Sequence, residues 1–207
     1  MKKMFLTSSF VDVADLFVEF AEEKCAGKTV TFIPTASLVE DVTFYVDAGK
    51  KALEERGLIV DELEISTATK ETIDSTLQKN DYIYVTGGNT FFLLQELKRT
   101  GADKIISEQV NSGKMYVGES AGSIVLSRNI EYVKDMDDFT AAPNIGTFSS
   151  LGMIDFYPVP HHTNFPFKES VERIISSYEG EIDLCPISNT QAIVIYGNKF
   201  EVWGAKT

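Results

Sequence analysis

The 207-residue chain carries 43% hydrophobic and 24% charged residues, the composition of a soluble globular protein, and its length suits one domain spanning residues 1–207. A net charge of −12 offers no field that would attract phosphate backbones or anionic lipid, so neither nucleic acid nor a membrane surface is an expected partner. No apolar stretch reaches the ~20 residues of a spanning helix or the ~7–15 of a signal-peptide core; with Cys25 and Cys185 in no metal-ligand or disulfide pattern, a reducing cytoplasm is the expected setting.

In chain order, short β-branched and aromatic runs alternate with amphipathic stretches, the rhythm of βαβ units. Lys3–Thr7 reads as the first strand, followed by helical spacing of Val11, Ala14, Phe17, Val18 and Ala21. Lys28–Pro34 is a second strand, Glu40–Arg56 a helix stopped by Gly57, and Leu58–Ile65 a third strand. A short helix over Thr69–Asn80 leads into Asp81–Thr86, apolar nearly throughout, as parallel strands covered on both faces are. Two helices, Phe91–Arg99 and Ala102–Asn111, precede a strand at Lys114–Val117. Beyond Val125 the pattern loosens: Ile130–Val133 reads as a strand, residues 134–150 as a loop over a site, and Gly152–Val159 as a strand again. A helix near Phe167–Tyr178 and an antiparallel hairpin, Gln191–Tyr196 with Lys199–Trp203 turned through Gly197-Asn198, close the chain. The fold class is therefore α/β, a three-layer sandwich on a mostly parallel sheet of flavodoxin-like type with C-terminal antiparallel strands.

Gly118-Glu119-Ser120-Ala121-Gly122 is a G-x-S-x-G match between a strand and a helix, the context in which that motif presents a serine at a strained turn. The Ala121 N–H would face an oxyanion formed on a carbonyl attacked by Ser120, and Gly88, in the Gly87-Gly88 pair ending a neighbouring strand, is the candidate second donor. A serine hydroxyl needs a base, and histidine is the side chain whose pKa suits the task. The two histidines, His161 and His162, are adjacent at a strand end, and adjacent side chains of an extended segment point apart, so one of them is expected to face Ser120. No ligand spacing calls for a metal or cofactor.

Three stretches, Gly87-Gly88-Asn89-Thr90-Phe91, Gly118-Glu119-Ser120-Ala121-Gly122-Ser123 and Pro160-His161-His162-Thr163-Asn164, resemble in content and order the serine peptidase family of dipeptidase E and cyanophycinase, relatives of the class I glutamine amidotransferase fold. The resemblance implies Ser120 as nucleophile and His161, directly after the proline, as base. It implies Asp135, in an Asp-Met pair like one in dipeptidase E, as third triad member; a glutamate nearer the C-terminus, the family's other candidate, has no counterpart where Asp183-Leu184-Cys185-Pro186 runs into the last hairpin. Asn89, His162 and Arg173 are the candidates for substrate contact, with packing the alternative for His162. The arginine that would grip an N-terminal aspartate falls on Ser170, and a hydroxyl does not replace a bidentate guanidinium.

The expected function is serine-type hydrolysis of short peptides or amides through an acyl-enzyme on Ser120, of the dipeptidase E kind, its aspartyl preference left open because Arg173 or Lys168 would have to stand in for the arginine. Two alternatives stand beside it: a flavodoxin-like small-molecule or nucleotide binding module using Thr86–Thr90 as a phosphate cradle, and an α/β-hydrolase-type esterase.

Overall fold

The structure is a computed structural model in which residues 1–22 and 25–204 are described. Among the described residues there are nine strands and seven α-helices: β1 (Lys3–Thr7), α1 (Phe10–Ala21), β2 (Thr29–Ile33), α2 (Phe44–Glu55), β3 (Ile59–Glu62), α3 (Lys70–Lys79), β4 (Tyr82–Val85), α4 (Thr90–Thr100), α5 (Ala102–Asn111), β5 (Met115–Glu119), α6 (Ala121–Ile124), β6 (Tyr157–Val159), α7 (Lys168–Tyr178), β7 (Leu184–Pro186), β8 (Gln191–Tyr196) and β9 (Lys199–Gly204).

Seven strands make one sheet in the order β3-β2-β4-β5-β1-β8-β9. The first five run parallel, and β8 and β9 add antiparallel to β1. From β2 onward the parallel strands follow the flavodoxin order, with β1 filling the fifth place. Strand alternation divides the core in two. Phe5, Tyr82, Tyr84, Met115, Val117 and Val194 face α1 and α2, while Met4, Leu6, Ile83, Val85, Tyr116 and Ile193 face the layer containing α3 to α7. The first half is aromatic: Phe10, Phe17 and Phe20 of α1 are fully buried, and Tyr84 stacks on Phe32 with ring centroids 5.1 Å apart. Each such ring removes roughly 150–250 Å² from water, which fixes α1 to the sheet. Among the described residues no helix is long and apolar enough to cross a membrane.

The expected parallel α/β sheet is present, and the departures fall where backbone is tied by side chains. Ile130–Val133 is not a strand: Glu131–Val133 forms a 3-10 turn whose Tyr132 is buried and donates to the Pro158 carbonyl at 2.6 Å. Of Gly152–Val159 only Tyr157–Val159 is extended strand. The predicted helix from Glu40 begins at Phe44, after a separate 3-10 turn at Thr35–Val39. The segment 184–186 is itself a strand, paired in parallel with β6 as a second, two-stranded sheet, with Val159 opposite Pro186.

Because β1, β2, β4 and β5 are parallel, their carboxyl ends meet on one side of the molecule. Ser8, Thr35, Gly87 and Ser120 follow them there directly or within two residues, the place where open α/β sheets carry their sites.

Candidate active site

Ser120 occupies the turn between β5 and α6 with φ +46° and ψ −106°, a conformation that non-glycine residues rarely adopt and that costs of order 1–3 kcal/mol. The two flanking glycines make the turn possible. A Cβ on Gly118 would stand 2.6 Å from the Gly122 carbonyl oxygen, and one on Gly122 only 2.2 Å from the Val85 carbonyl oxygen of β4. Two hydroxyl and amide contacts to β1 hold it: Ser120 N–H donates to the Thr7 carbonyl at 2.8 Å, and Ser123 Oγ accepts from Thr7 N–H at 3.1 Å while bonding the Gly118 carbonyl at 2.8 Å.

Facing it is His161, whose Nε2 lies 3.0 Å from Ser120 Oγ. The segment around His161 is a turn rather than the extended stretch expected: His161 has φ +64° and Thr163 φ +67°. Its placement comes from β1 and from the small sheet. Ser8 Oγ accepts from His161 N–H at 2.9 Å and donates to the Ile187 carbonyl at 3.1 Å. His162 N–H donates to that same carbonyl at 2.9 Å. Phe167 stacks on the imidazole with centroids 4.5 Å apart and an interplanar angle of 23°. Burial pushes the His161 pKa below the ordinary histidine range, with the hydrogen bond that His161 Nδ1–H donates to Asn189 acting the other way.

The partner of His161 Nδ1 is Asn189 Oδ1, at 2.8 Å. This corrects the expectation for Asp135, which instead forms an ion pair with Arg173 at 3.7 Å, both side chains being half exposed. The reason lies in β6 and β7: pairing Val159 with Pro186 sends the two strand ends out side by side, with His161 two residues beyond one and Asn189 three beyond the other. Asn189 is held in turn by Asn164, whose Oδ1 accepts from the Asn189 N–H at 2.9 Å. An oxygen acceptor on Nδ1 fixes the tautomer with the proton on Nδ1, leaving Nε2 free to accept from Ser120.

Gly88, with φ +128°, must be glycine, because a Cβ there would be 2.3 Å from the Ala36 carbonyl. Gly87 passes close to the serine; a Cβ on it would lie 3.2 Å from Ser120 Cβ. Ala121 opens α6, where an N–H has no intrahelical carbonyl to bond. Of the expected substrate contacts, Asn89 is corrected: it is 3% exposed and its amide is engaged at both ends, Oδ1 capping α4 through Phe92 N–H at 2.9 Å and Nδ2 donating to the Asp138 carbonyl at 2.9 Å. Arg173 stands beside Asp135 as the partner in that half-exposed ion pair. Ser170 donates to the Phe167 carbonyl at 2.9 Å. Among the described residues no group of three or more His, Cys, Asp or Glu could hold a metal.

The sequence profile of peptidase family S51 matches residues 4–203. The chain belongs to that family. This family S51 chain is 57% identical over 199 residues, 96% of its own length and 97% of the relative's, to an uncharacterized peptidase of Listeria monocytogenes. It is 32% identical over 134 residues, 65% of this chain and 54% of the other, to peptidase E of Shewanella amazonensis. A 1.5 Å crystal structure of a peptidase E-like protein from Listeria monocytogenes superposes with a TM-score of 0.96 at 54% identity, covering 100% of both chains. A peptidase from an acI-B1 Actinobacterium shares the fold, with a TM-score of 0.70 at 22% identity over 99% of this chain and 88% of the other. The protein is a hydrolase, a serine-type peptidase of the dipeptidase E kind acting on peptides.

Sequence reasoning missed Ser8, Asn164, Phe167 and Asn189 in this site. Only Asn164 carried a signal, as part of the Pro160–Asn164 stretch; Asn189 lies between Ser188 and Thr190 in what reads as an ordinary turn.

Proposed function

We propose that this peptidase cleaves short peptides through an acyl-enzyme on Ser120, with His161 as general base and Asn189 as the residue that orients it. The observation carrying the reading is the 3.0 Å approach of His161 Nε2 to the Oγ of a serine held at φ +46°. His161 takes the hydroxyl proton as Oγ attacks the scissile carbonyl, and the N–H groups of Gly88 and Ala121 receive the oxyanion. The imidazolium gives that proton to the departing amine, the C–N bond breaks, and a water deprotonated by the same imidazole releases the carboxylic acid. A neutral asparagine in the third place has a parallel in the Cys-His-Asn arrangement of other peptidases. With Ser170 in the arginine's position, selection for an N-terminal aspartate is not expected.

The test is labelling by a fluorophosphonate probe, with wild type beside Ser120→Ala and His161→Ala. Wild type should label, Ser120→Ala should not, and His161→Ala should label orders of magnitude more slowly. Undiminished labelling of Ser120→Ala would remove the assigned nucleophile.

A further inference from the structure

Tyr45 is the second residue of α2, and its ring borders the nucleophile. A Cβ on Gly87 would stand 3.2 Å from Ser120 Cβ and 3.7 Å from Tyr45 Cε2, so the serine side chain and the tyrosine ring flank the same point of the loop after β4. Cε2 is bonded to the carbon that carries the hydroxyl, and the hydroxyl end of the ring is therefore the end that reaches this point. One turn along the same face of α2, Gly49 comes so near the sheet that a Cβ would stand 2.9 Å from the Tyr84 hydroxyl. That face of the helix is pressed onto the sheet and carries the Tyr45 ring with it, while Phe44 meets the ring edge-on with centroids 6.1 Å apart.

The Tyr45 hydroxyl is buried and has no hydrogen-bond partner among the described residues. An unpaired buried hydroxyl destabilises the folded chain, and native proteins seldom keep one where it has no use. Phenylalanine would fill the same space without that penalty. Burial also pushes the phenol's pKa up from its ordinary value, so the oxygen keeps its proton and is a neutral donor wherever His161 is a base. What this donor lacks is an acceptor, and the chemistry at Ser120 brings one: the oxygen of the attacked carbonyl, on which negative charge develops as Oγ bonds to carbon. We infer that Tyr45 is a catalytic residue of this peptidase, its hydroxyl donating to the oxygen of the carbonyl attacked by Ser120 alongside the Gly88 and Ala121 N–H groups. The inference rests on the acyl-enzyme reading above and deepens it. A hydroxyl already in place and free of other partners needs no reorganisation as the charge appears, and it retains its proton throughout the step.

The experiment is the kinetics of fluorophosphonate inactivation, read as kinact/KI (the maximal rate over the half-saturating concentration), together with Tm, for wild type, Tyr45→Phe and Tyr196→Phe. The phosphoryl oxygen of the probe stands where the carbonyl oxygen of a peptide would. Tyr196, in β8 opposite Lys3 at the end of β1 away from the site, supplies the contrast, since its hydroxyl has a partner, the Phe20 carbonyl at 3.1 Å. Tyr45→Phe should lower kinact/KI at least about tenfold, the low side of the loss from deleting an oxyanion donor, with a Tm equal to or above that of wild type because no unpaired hydroxyl is buried any longer. Tyr196→Phe should do the reverse, lowering Tm and leaving kinact/KI within about twofold of wild type. Wild-type kinact/KI in Tyr45→Phe overturns the inference while leaving Ser120 as nucleophile. So does a fall of its Tm like that of Tyr196→Phe, which would give the hydroxyl a structural partner, and so does a rate loss that Tyr196→Phe shares. Labelling that survives Ser120→Ala overturns the underlying reading instead.

Discussion

At Ser120 the backbone sits where glycine is comfortable and serine is not, at φ +46° and ψ −106°. Both Ser120→Ala and Ser120→Gly should abolish labelling, but they should differ in stability. Relief of roughly 1–3 kcal/mol of backbone strain, less the ~0.5–1 kcal/mol that glycine loses to unfolded-state entropy, leaves Ser120→Gly about 1 kcal/mol more stable than Ser120→Ala in denaturant titration. The Asn189 contact makes a second prediction at the same scale. Asn189→Ala removes one neutral hydrogen bond that orients His161 and should lower kcat about tenfold, the rate equivalent of the ~1.5 kcal/mol such a bond contributes. Asn189→Asp places a negative charge against the Nδ1–H; it favours the imidazolium, so the acid limb of kcat/KM should move to higher pH than in wild type. In wild type that limb should lie below the ordinary histidine pKa, because burial holds His161 neutral to lower pH. An acid limb that stays put in Asn189→Asp would separate Asn189 from the base.

Among the elements, the tightest constraint is between β4 and α6. The short helix after Ser120 approaches the end of β4 so closely that a methyl group on Gly122 has no place beside the Val85 carbonyl, 2.2 Å away. That carbonyl is main chain and cannot rotate aside. Gly122→Ala should therefore displace α6 with the Ala121 N–H it carries, lowering labelling at least tenfold, with a loss of roughly 1–3 kcal/mol of stability as expected for overpacking. Chemical denaturation and labelling measured on the same sample check both parts. The small β6–β7 sheet is the other decisive element, since its parallel pairing is what brings the His161 and Asn189 turns together.

Over the whole molecule, two partly or fully enclosed titrating groups act on stability with opposite signs. Asp137, whose Oδ2 accepts from Thr90 N–H at 2.9 Å at the start of α4, is pushed up to about 6 by burial, with Glu40 nearby adding to the effect. A carboxyl raised in the folded state prefers to hold its proton there, so its contribution is full below the unfolded pKa near 4 and is lost as pH rises to about 6. His161 is lowered, so its contribution is present above the unfolded histidine pKa and is lost as pH falls through the acid range. Asp137→Asn keeps an acceptor for Thr90 and removes the first dependence. It should match wild type near pH 4 and exceed it above pH 6, by at most about 3 kcal/mol for a shift of this size. Equal Tm for the two proteins at pH 7.5 would contradict the assignment of Asp137.

The alternation of apolar strands with amphipathic helices and the glycines around Ser120 are local signals, and they made the parallel sheet, the serine turn and the C-terminal hairpin readable from the chain alone. Hydrophobic period and turn chemistry act over a few residues, within the span that a sequence displays. The choice between His161 and His162 already needed a family likeness, because the segment is a turn with positive φ rather than the extended strand its neighbours suggest. Asn189 in place of Asp135 was decided only by tertiary structure. Leu184–Pro186 is three residues long, too short to show a period, and it becomes a strand because its backbone groups find partners in β6. Likewise Glu119 stands in a motif position that admits any residue, and its buried carboxylate is satisfied only once the Phe10 N–H and the Tyr84 hydroxyl, up to 109 positions away, are folded against it. Buried polar groups must be satisfied, but which donors satisfy them is settled by long-range packing that no local pattern encodes.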